Sequence, residues 1–494
     1  MDKIKSTVKN NIKPVCKILF LVILFFGLTF YMNMATDSFR VEHDGFKQAA
    51  EDMCTLNSRL IIGGLFYLGY LFGMSLETFY YFSAVLAVIF LTLSVWVYYK
   101  ILLKHSISEN VAIILSFEAV ANLFIIEYFR FIEKGGFMMA IFFNVMGVYF
   151  IDLFFSDKKY KYLAYSVVMM ILAAFTYQGT MALFVLLCLP LVNKYSSKIF
   201  DYIKNLFWVG MVYLTSVGVI ILMLRFVFNS SRVVYESNIF DQLSYVGLVS
   251  VSLLNNPFSM LPQGLLLYVF FIMIAVYLIS ALLNKKLVRQ ICSLGIMIVF
   301  SIIFPSAPIL QGTGYWIMRI VYPLASLLGI ISIDYFFNNS ETSGKSRKIM
   351  NCLIVFSAVI ILVNQCITNN RIFIDAEELN ALDKYRINYI GQRIEEYELT
   401  TGNTITQIAF YTDSETERPF YPDIYFYAIG DNMMDSALYK DWSDILCINY
   451  YLETDYTKSD SAQEYVDYFA SRNWDELSDE QLIFEGNTLH LCLY

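Results

Sequence analysis

Histidine is almost missing from this chain, with 3 among 494 residues. Too few imidazoles remain for a His-built metal centre, and no Ser/His/Asp hydrolase pattern is present. Eight cysteines are scattered with no CxxC pair, which excludes a thiolate metal cluster. Cys447 and Cys492 sit in apolar stretches and read as two buried free thiols; they would pair only if the tail lies outside the cytosol. The Gly-rich phosphate loop that ends in Gly-Lys-Ser/Thr is absent, so ATP is not the expected energy source. No basic patch interleaved with aromatics marks a nucleic-acid partner. Charge itself is scarce, at 16% against 57% hydrophobic residues, a balance foreign to ordinary soluble domains.

What is there instead is a series of long apolar runs. A membrane-spanning helix needs about 20 mostly apolar residues. Such runs occur near 15–35, 78–99, 110–128, 136–155, 163–177, 180–193, 206–228, 262–283, 291–306, 318–337 and 349–367. The first is too long for the core of a signal peptide and is taken as a retained helix. Lys and Arg collect in alternate gaps: the N-terminal Lys cluster, Lys100 with Lys104, Lys158/Lys159/Lys161, Lys194/Lys198/Lys204, Lys285/Lys286/Arg289 and Lys345/Arg347/Lys348. Positive residues favour the cytosolic side. The N-terminus is therefore expected in the cytoplasm and the tail outside, in a multi-pass plasma-membrane protein. Residues 59–75 are apolar but short and Gly-rich. They predict a helix lying in the outer interface, not a twelfth span. The outer loops are then 36–77, 129–135, the turn at Gln178–Gly179, 229–261 and 307–317, and residues 338–348 form a polar cytosolic linker.

The net charge of −8 conceals a division. Of 43 acidic residues 25 follow Asn369, against 8 of the 35 basic ones. The sequence predicts a mainly α polytopic helix bundle of about 11 helices over 1–367, with a small extracytoplasmic acidic α/β domain over 368–494. Within that tail, 374–399 and Ala462 to Arg472 have helical spacing, while TQIAFYT, DILCINYYL and TLHLCLY read as strands.

Chemistry is sought on the side the positive charges avoid. The first outer loop is the densest polar stretch, with Asp37, Arg40, Glu42, His43, Asp44, Lys47, Glu51, Asp52 and Arg59. Carboxylates beside cations at a membrane surface suit proton removal from a hydroxyl and retention of a phosphate. Asp44 is the first choice as base, because Gly45 lets the chain turn and leaves the carboxylate accessible. Asp37, tied to the end of the first span, and Glu42 follow. Glu118 is a carboxyl in mid-span, where an unpaired charge is expensive. Glu127 and Arg130 stand three apart and are able to pair. Arg225 and Arg319 lie near outer ends of spans, and a guanidinium there matches a lipid phosphate. Tyr177–Gln178 closes a span at the same face, where an amide can bond a sugar hydroxyl. For any one of these residues, a solvated loop charge or a polar turn is the plain alternative.

The order of these elements resembles the GtrII-type integral-membrane glucosyltransferases, which have the GT-C fold. The resemblance covers about the first 340 residues and leaves the acidic tail out. The family's Asp-Asp pair, followed later by Gly-Arg, is matched here by His43–Asp44 and Ser58–Arg59. Only the second acid is present, Ser stands for Gly, and Lys47 stands where Arg is usual. Tyr177–Gln178 matches, and Arg319 falls where a late outer Arg is expected. The resemblance implies transfer of a sugar, typically glucose, from a polyprenyl-phosphate donor to a hydroxyl of an extracytoplasmic glycan, with inversion, in a bacterial membrane. Asp44, or else Asp37 or Glu42, would be the base. Lys47, Arg59, Arg130 and Arg319 would surround the phosphate, and Gln178 would touch sugar or acceptor. No cofactor is implied, although the loop acids are able to bind a divalent ion.

Two rival readings stand beside this one. A transporter or flippase of lipid-linked glycans predicts charged residues through the mid-membrane, where Glu118 is the main one. A membrane scaffold with an acidic partner-binding tail leaves the acidic first loop unexplained.

Overall fold

The computed structural model describes residues 2–226, 239–303, 318–339, 344–414, 424–428, 436–474 and 477–493. The expected outer loop 307–317, residues 229–238 of the other long loop, residues 340–343 of the linker and the side chain of Arg225 lie outside the described residues.

The chain is mainly helical, with a small C-terminal sheet. Among the described residues, seven helices are long and apolar enough to cross a membrane: Ile12–Phe30, Leu76–Lys104, Lys134–Asp157, Ile199–Met223, Leu265–Leu283, Met318–Asn338 and Lys345–Thr401. An eighth span arises if the bent pair Glu109–Val120 and Leu123–Arg130 is counted as one. The remaining expected spans fall on the shorter apolar helices Lys161–Thr176, Gln178–Lys194 and Leu287–Ile302. Sixteen residues rise about 24 Å, short of a hydrocarbon core about 30 Å thick. Leu60–Leu71, within the stretch set apart from the spans, is a 12-residue helix. Its outward face carries Tyr67, Leu68, Tyr70 and Leu71. Large apolar side chains such as Phe20, Leu214, Phe271 and Phe356 are exposed along the spans, as a lipid solvent requires.

The chain divides into two compact units. The first comprises Met1–Phe30, Ala49–Phe129 and Glu133–Asn370; the second comprises Tyr31–Gln48, Arg130–Ile132 and Arg371–Tyr494. No break occurs at residue 367: one 57-residue helix, Lys345–Thr401, covers both the last apolar run and the expected tail helix.

Inside the first unit, two polar hubs replace apolar packing. Asp152 is 1% exposed and accepts from Lys104 Nζ (2.7 Å) and Tyr195 Oη (3.0 Å), and its other contact is His105 Nε2 (2.8 Å). Asp334 accepts from Tyr277 Oη (2.5 Å), Asn193 Nδ2 (2.8 Å) and Asn338 Nδ2 (2.9 Å). Each buried carboxyl is thus surrounded by donors, as burial demands. The bend near Asn122 is also satisfied. Gln365 Nε2 donates to the carbonyls of Ala121 (2.8 Å) and Asn122 (2.9 Å), and the Asn122 carbonyl also accepts from Ile125 N (3.2 Å).

In the second unit, strands β1 (Gln407–Tyr411), β2 (Thr457–Lys458), β3 (Leu482–Glu485) and β4 (Thr488–Cys492) form a sheet in the order β2-β1-β4-β3. β1 is parallel to β2 and β4, and β3–β4 is an antiparallel hairpin. Ala409, Tyr411, Phe469 and Cys492 form its core, closed by Tyr465, Trp474 and Ile483. The expected strand DILCINYYL is instead the helix Asp444–Leu452. Its aromatic and β-branched residues suit a strand by composition. Burial nevertheless falls on Asp444, Cys447 and Ile448, the three-and-four spacing of a helix face. Cys447 and Cys492 are both buried free thiols.

Candidate functional site

The residues singled out from the sequence fall into two groups, one in each unit. In the first unit, the turn before Leu60–Leu71 carries Ser58 and Arg59. Ser58 adopts φ 55, the left-handed region that favours glycine. This is the position where the family pattern has Gly. The Ser58 carbonyl accepts from Gln178 Nε2 at 3.1 Å. The Arg59 guanidinium lies over the Tyr177 ring, 4.8 Å from its centroid. Ser58–Arg59 and Tyr177–Gln178, 118 or more positions apart in the chain, therefore hold each other in register.

Arg319 joins the same cluster. Its main-chain N–H donates to Glu127 Oε2 (2.5 Å), and its guanidinium Nη1 lies 3.5 Å from Glu127 Oε1. Its carbonyl accepts from the Tyr128 hydroxyl at 2.7 Å. The Tyr128 ring packs edge-on against Tyr177, centroids 5.6 Å apart. Arg59, Arg319, Glu127 and Glu133 all lie close enough to Tyr177 to act on its hydroxyl electrostatically. The Arg319 side chain is 22% exposed, so the guanidinium still reaches the surface of the unit. Glu127 is a member of this cluster that the sequence placed nearby without giving it this partner. Gln178 spends an amide N–H on the turn of Arg59, which makes it a positioning residue.

The strain at Ser58 gives a direct expectation. Ser58 is 2% exposed, and its hydroxyl has no hydrogen-bond partner among the described residues. Ser58→Gly should therefore be neutral or raise stability, by up to about 1 kcal/mol. Ser58→Val should lower the melting temperature in detergent, because a β-branched residue is poorest in this backbone region.

The second unit holds Asp37, Glu42, Asp44 and Lys47 on the helix Thr36–Thr55, and also Arg130. Asp37 lies in the helix's first turn, where its charge complements the helix dipole. Gly45 kinks the helix at φ 82 and ψ 159, a conformation open in practice only to glycine. Asp44 is already engaged. Its Oδ2 accepts from Arg40 Nε at 3.2 Å, and its Oδ1 lies 2.8 Å from His43 Nδ1. Lys47 is exposed and Arg130 is half-buried. Glu42 and His43 line a cleft of about 660 Å³ with Phe39, Lys384, Tyr450 and Tyr451. Partial burial raises the Glu42 carboxyl's affinity for its proton.

Glu118 belongs to neither group. It is 2% exposed on the Glu109–Val120 arm of the bent pair, and neither carboxyl oxygen has a hydrogen-bond partner among the described residues. The bend between Glu109–Val120 and Leu123–Arg130 is 51°.

No protein-family model matches the chain, and no curated protein matches it.

Proposed function

We propose that this chain is a membrane glycosyltransferase of the GT-C type. It would move a sugar, typically glucose, from a polyprenyl-phosphate donor to a hydroxyl of an extracytoplasmic glycan. The observation that carries this reading is the convergence of Ser58–Arg59, Tyr177–Gln178 and Arg319, the residues on which the family resemblance rests. In this reading Arg59 and Arg319 hold the donor phosphate and stabilise the charge that develops as the sugar leaves. Tyr177, Gln178 and Glu127 fix where those guanidinium groups stand. The acceptor proton needs a carboxylate, and the Thr36–Thr55 helix supplies the candidates Asp37, Glu42 and Asp44. Asp44 is committed to Arg40 and His43, whereas Glu42 lines an open cleft and binds its proton more tightly than an ordinary glutamate. Glu42 is therefore the better base, with Asp44 orienting His43 beside it.

The test is transfer of label from radiolabelled polyprenyl-phosphate glucose to cell-surface glycan by the purified protein in nanodiscs. Glu42→Gln should lower the rate about a hundredfold or more, Asp44→Asn less, and Asp37→Asn scarcely. A base must be ionised to act, so the wild-type rate should fall as the pH drops through a value above that of an ordinary glutamate. Full activity in Glu42→Gln together with a dead Asp44→Asn would return the role to Asp44.

A flippase of lipid-linked glycans is the second reading. A buried Glu118 with no hydrogen-bond partner among the described residues, beside a broken helix, is the feature that favours it. Movement of labelled lipid across liposomes that is lost in Glu118→Gln, with no label reaching glycan, would select it over transfer.

A further inference from the structure

The cleft in the second unit has a lining that the transfer reading does not explain by itself. Phe39, Tyr450 and Tyr451 form a ring cluster at its base, with centroids 5.5 Å (Phe39–Tyr450), 5.9 Å (Phe39–Tyr451) and 5.1 Å (Tyr450–Tyr451) apart. Phe39 is 1% exposed, so the platform is anchored from beneath. Around it stand Glu42, Glu453 and Asp455, with Lys384 as the one lysine or arginine of the lining among the described residues. Three carboxylates against one ammonium give the cleft an acidic field, which opposes a phosphate or a carboxylate ligand. The Lys384 ammonium is itself turned towards a ring, 5.9 Å from the Tyr451 centroid.

The rim is built rigidly. Glu453 ends the Asp444–Leu452 helix in the left-handed region, at φ 54 and ψ 44. Asn449 holds the chain that follows. Its Oδ1 accepts from Tyr456 N (3.0 Å) and Thr454 Oγ1 (3.2 Å), and its Nδ2 donates to Tyr456 O (2.9 Å). A left-handed residue commonly closes a helix, and together with the Asn449 bonds it fixes the chain that carries Glu453 and Asp455. On the facing wall, Asp44 holds His43 by Nδ1 and so fixes the imidazole's orientation.

Ring faces offer apolar contact, and carboxylates, which only accept, take hydrogen bonds from neutral hydroxyls. A polyol with apolar C–H faces and many O–H donors satisfies both. A cleft of about 660 Å³ is also within the size range of small-molecule sites. We infer that this cleft binds an uncharged oligosaccharide, stacked on Tyr450 and Tyr451 and held by Glu42, Glu453 and Asp455. The inference rests on the transfer reading only in making that oligosaccharide the acceptor; the binding itself needs no donor.

The experiment uses the full chain in nanodiscs without donor lipid. Saturation-transfer NMR is recorded with maltotriose, cellotriose and mannotriose, and with a glucuronic acid trisaccharide and spermidine as charged probes. At least one neutral trisaccharide should bind, in preference to the polyamine, while the anionic probe does not. Tyr451→Ala and Glu453→Gln should each weaken that binding about tenfold or more, with melting temperatures confirming that both variants fold. The proposal is overturned if no neutral trisaccharide binds, if a charged probe binds in preference, or if both folded variants bind as the wild type does. Sugar binding with no transfer activity would refute the transferase reading and leave this one standing.

Discussion

On the proposed transfer reading, Arg59→Ala and Arg319→Ala should each lower sugar transfer by about a hundredfold to a thousandfold, the usual cost of removing one donor aimed at developing charge. The argument is geometric. Arg319 is held through its own main chain, with its N–H on Glu127 and its carbonyl on the Tyr128 hydroxyl. Its guanidinium is placed before any ligand arrives, so little ordering remains to be done on binding. The Arg59 guanidinium stands over the Tyr177 ring, 4.8 Å from its centroid, and its turn is tied down by Gln178. If these groups act on the leaving phosphate, the loss should fall mainly on kcat, because that charge grows only in the transition state. Arg319→Lys should recover part of the rate. Lys keeps the charge but cannot present a planar fork. Gln178→Ala should have a smaller effect than either Arg variant, since it acts through the turn of Arg59. Ala variants of both arginines that fold and transfer at the wild-type rate would remove the phosphate-gripping role.

Much of the helical architecture was legible because lipid imposes one pattern: long apolar runs separated by charge. Gly45 was legible too, since a Gly after an acid in a polar loop marks a turn, and the helix does kink there. The Ser58–Arg59 and Tyr177–Gln178 elements could be named from motif order, but their mutual contact could not. The polar hubs went unread for the same reason. Asp152 meets Lys104 and Asp334 meets Asn193 across gaps of 48 and 141 residues, and no local period signals such pairs. The tail misled where composition and spacing disagreed. DILCINYYL has the residues of a strand but buries every third or fourth position. β3 was missed because four residues, LIFE, are too few to show alternation, and it forms by pairing with β4. Nor did the sequence reveal that Tyr31–Gln48 belongs to the same unit as the tail. That association rests on bonds such as Met34 N to Asn380 Oδ1 (2.6 Å), 346 residues apart.

Gly329 should be the least replaceable glycine in the bundle. A Cβ at this position would lie 2.6 Å from Ala119 N, 2.9 Å from Ala119 Cα and 3.0 Å from the Glu118 carbonyl carbon. All three are backbone atoms, so no side chain can swing aside. The helix they belong to is pinned just beyond, where Asn122 Nδ2 donates to Tyr322 O (3.0 Å) and Ser326 Oγ (2.7 Å) and the Tyr322 hydroxyl donates to Val120 O (2.5 Å). Neither partner can yield without breaking buried hydrogen bonds. Close approach over a small residue is a common means of joining helices in a membrane. Gly329→Ala should cost about 3 kcal/mol, the upper end of overpacking, and Gly329→Val more. Gly218→Ala supplies the control. Among the described residues nothing lies within 4 Å of its Cβ position on the helix Ile199–Phe226, so it should gain about 0.5–1 kcal/mol. Thermal unfolding in nanodiscs reads both. If the proposed transfer reading holds, the Gly329 variants should also lose transfer activity below their melting temperature, because Met318–Asn338 carries Arg319 at one end and this contact at its middle. An unchanged melting temperature in Gly329→Ala would mean that the two helices can part freely, and the firm placement of Arg319 against Glu127 would then need another support.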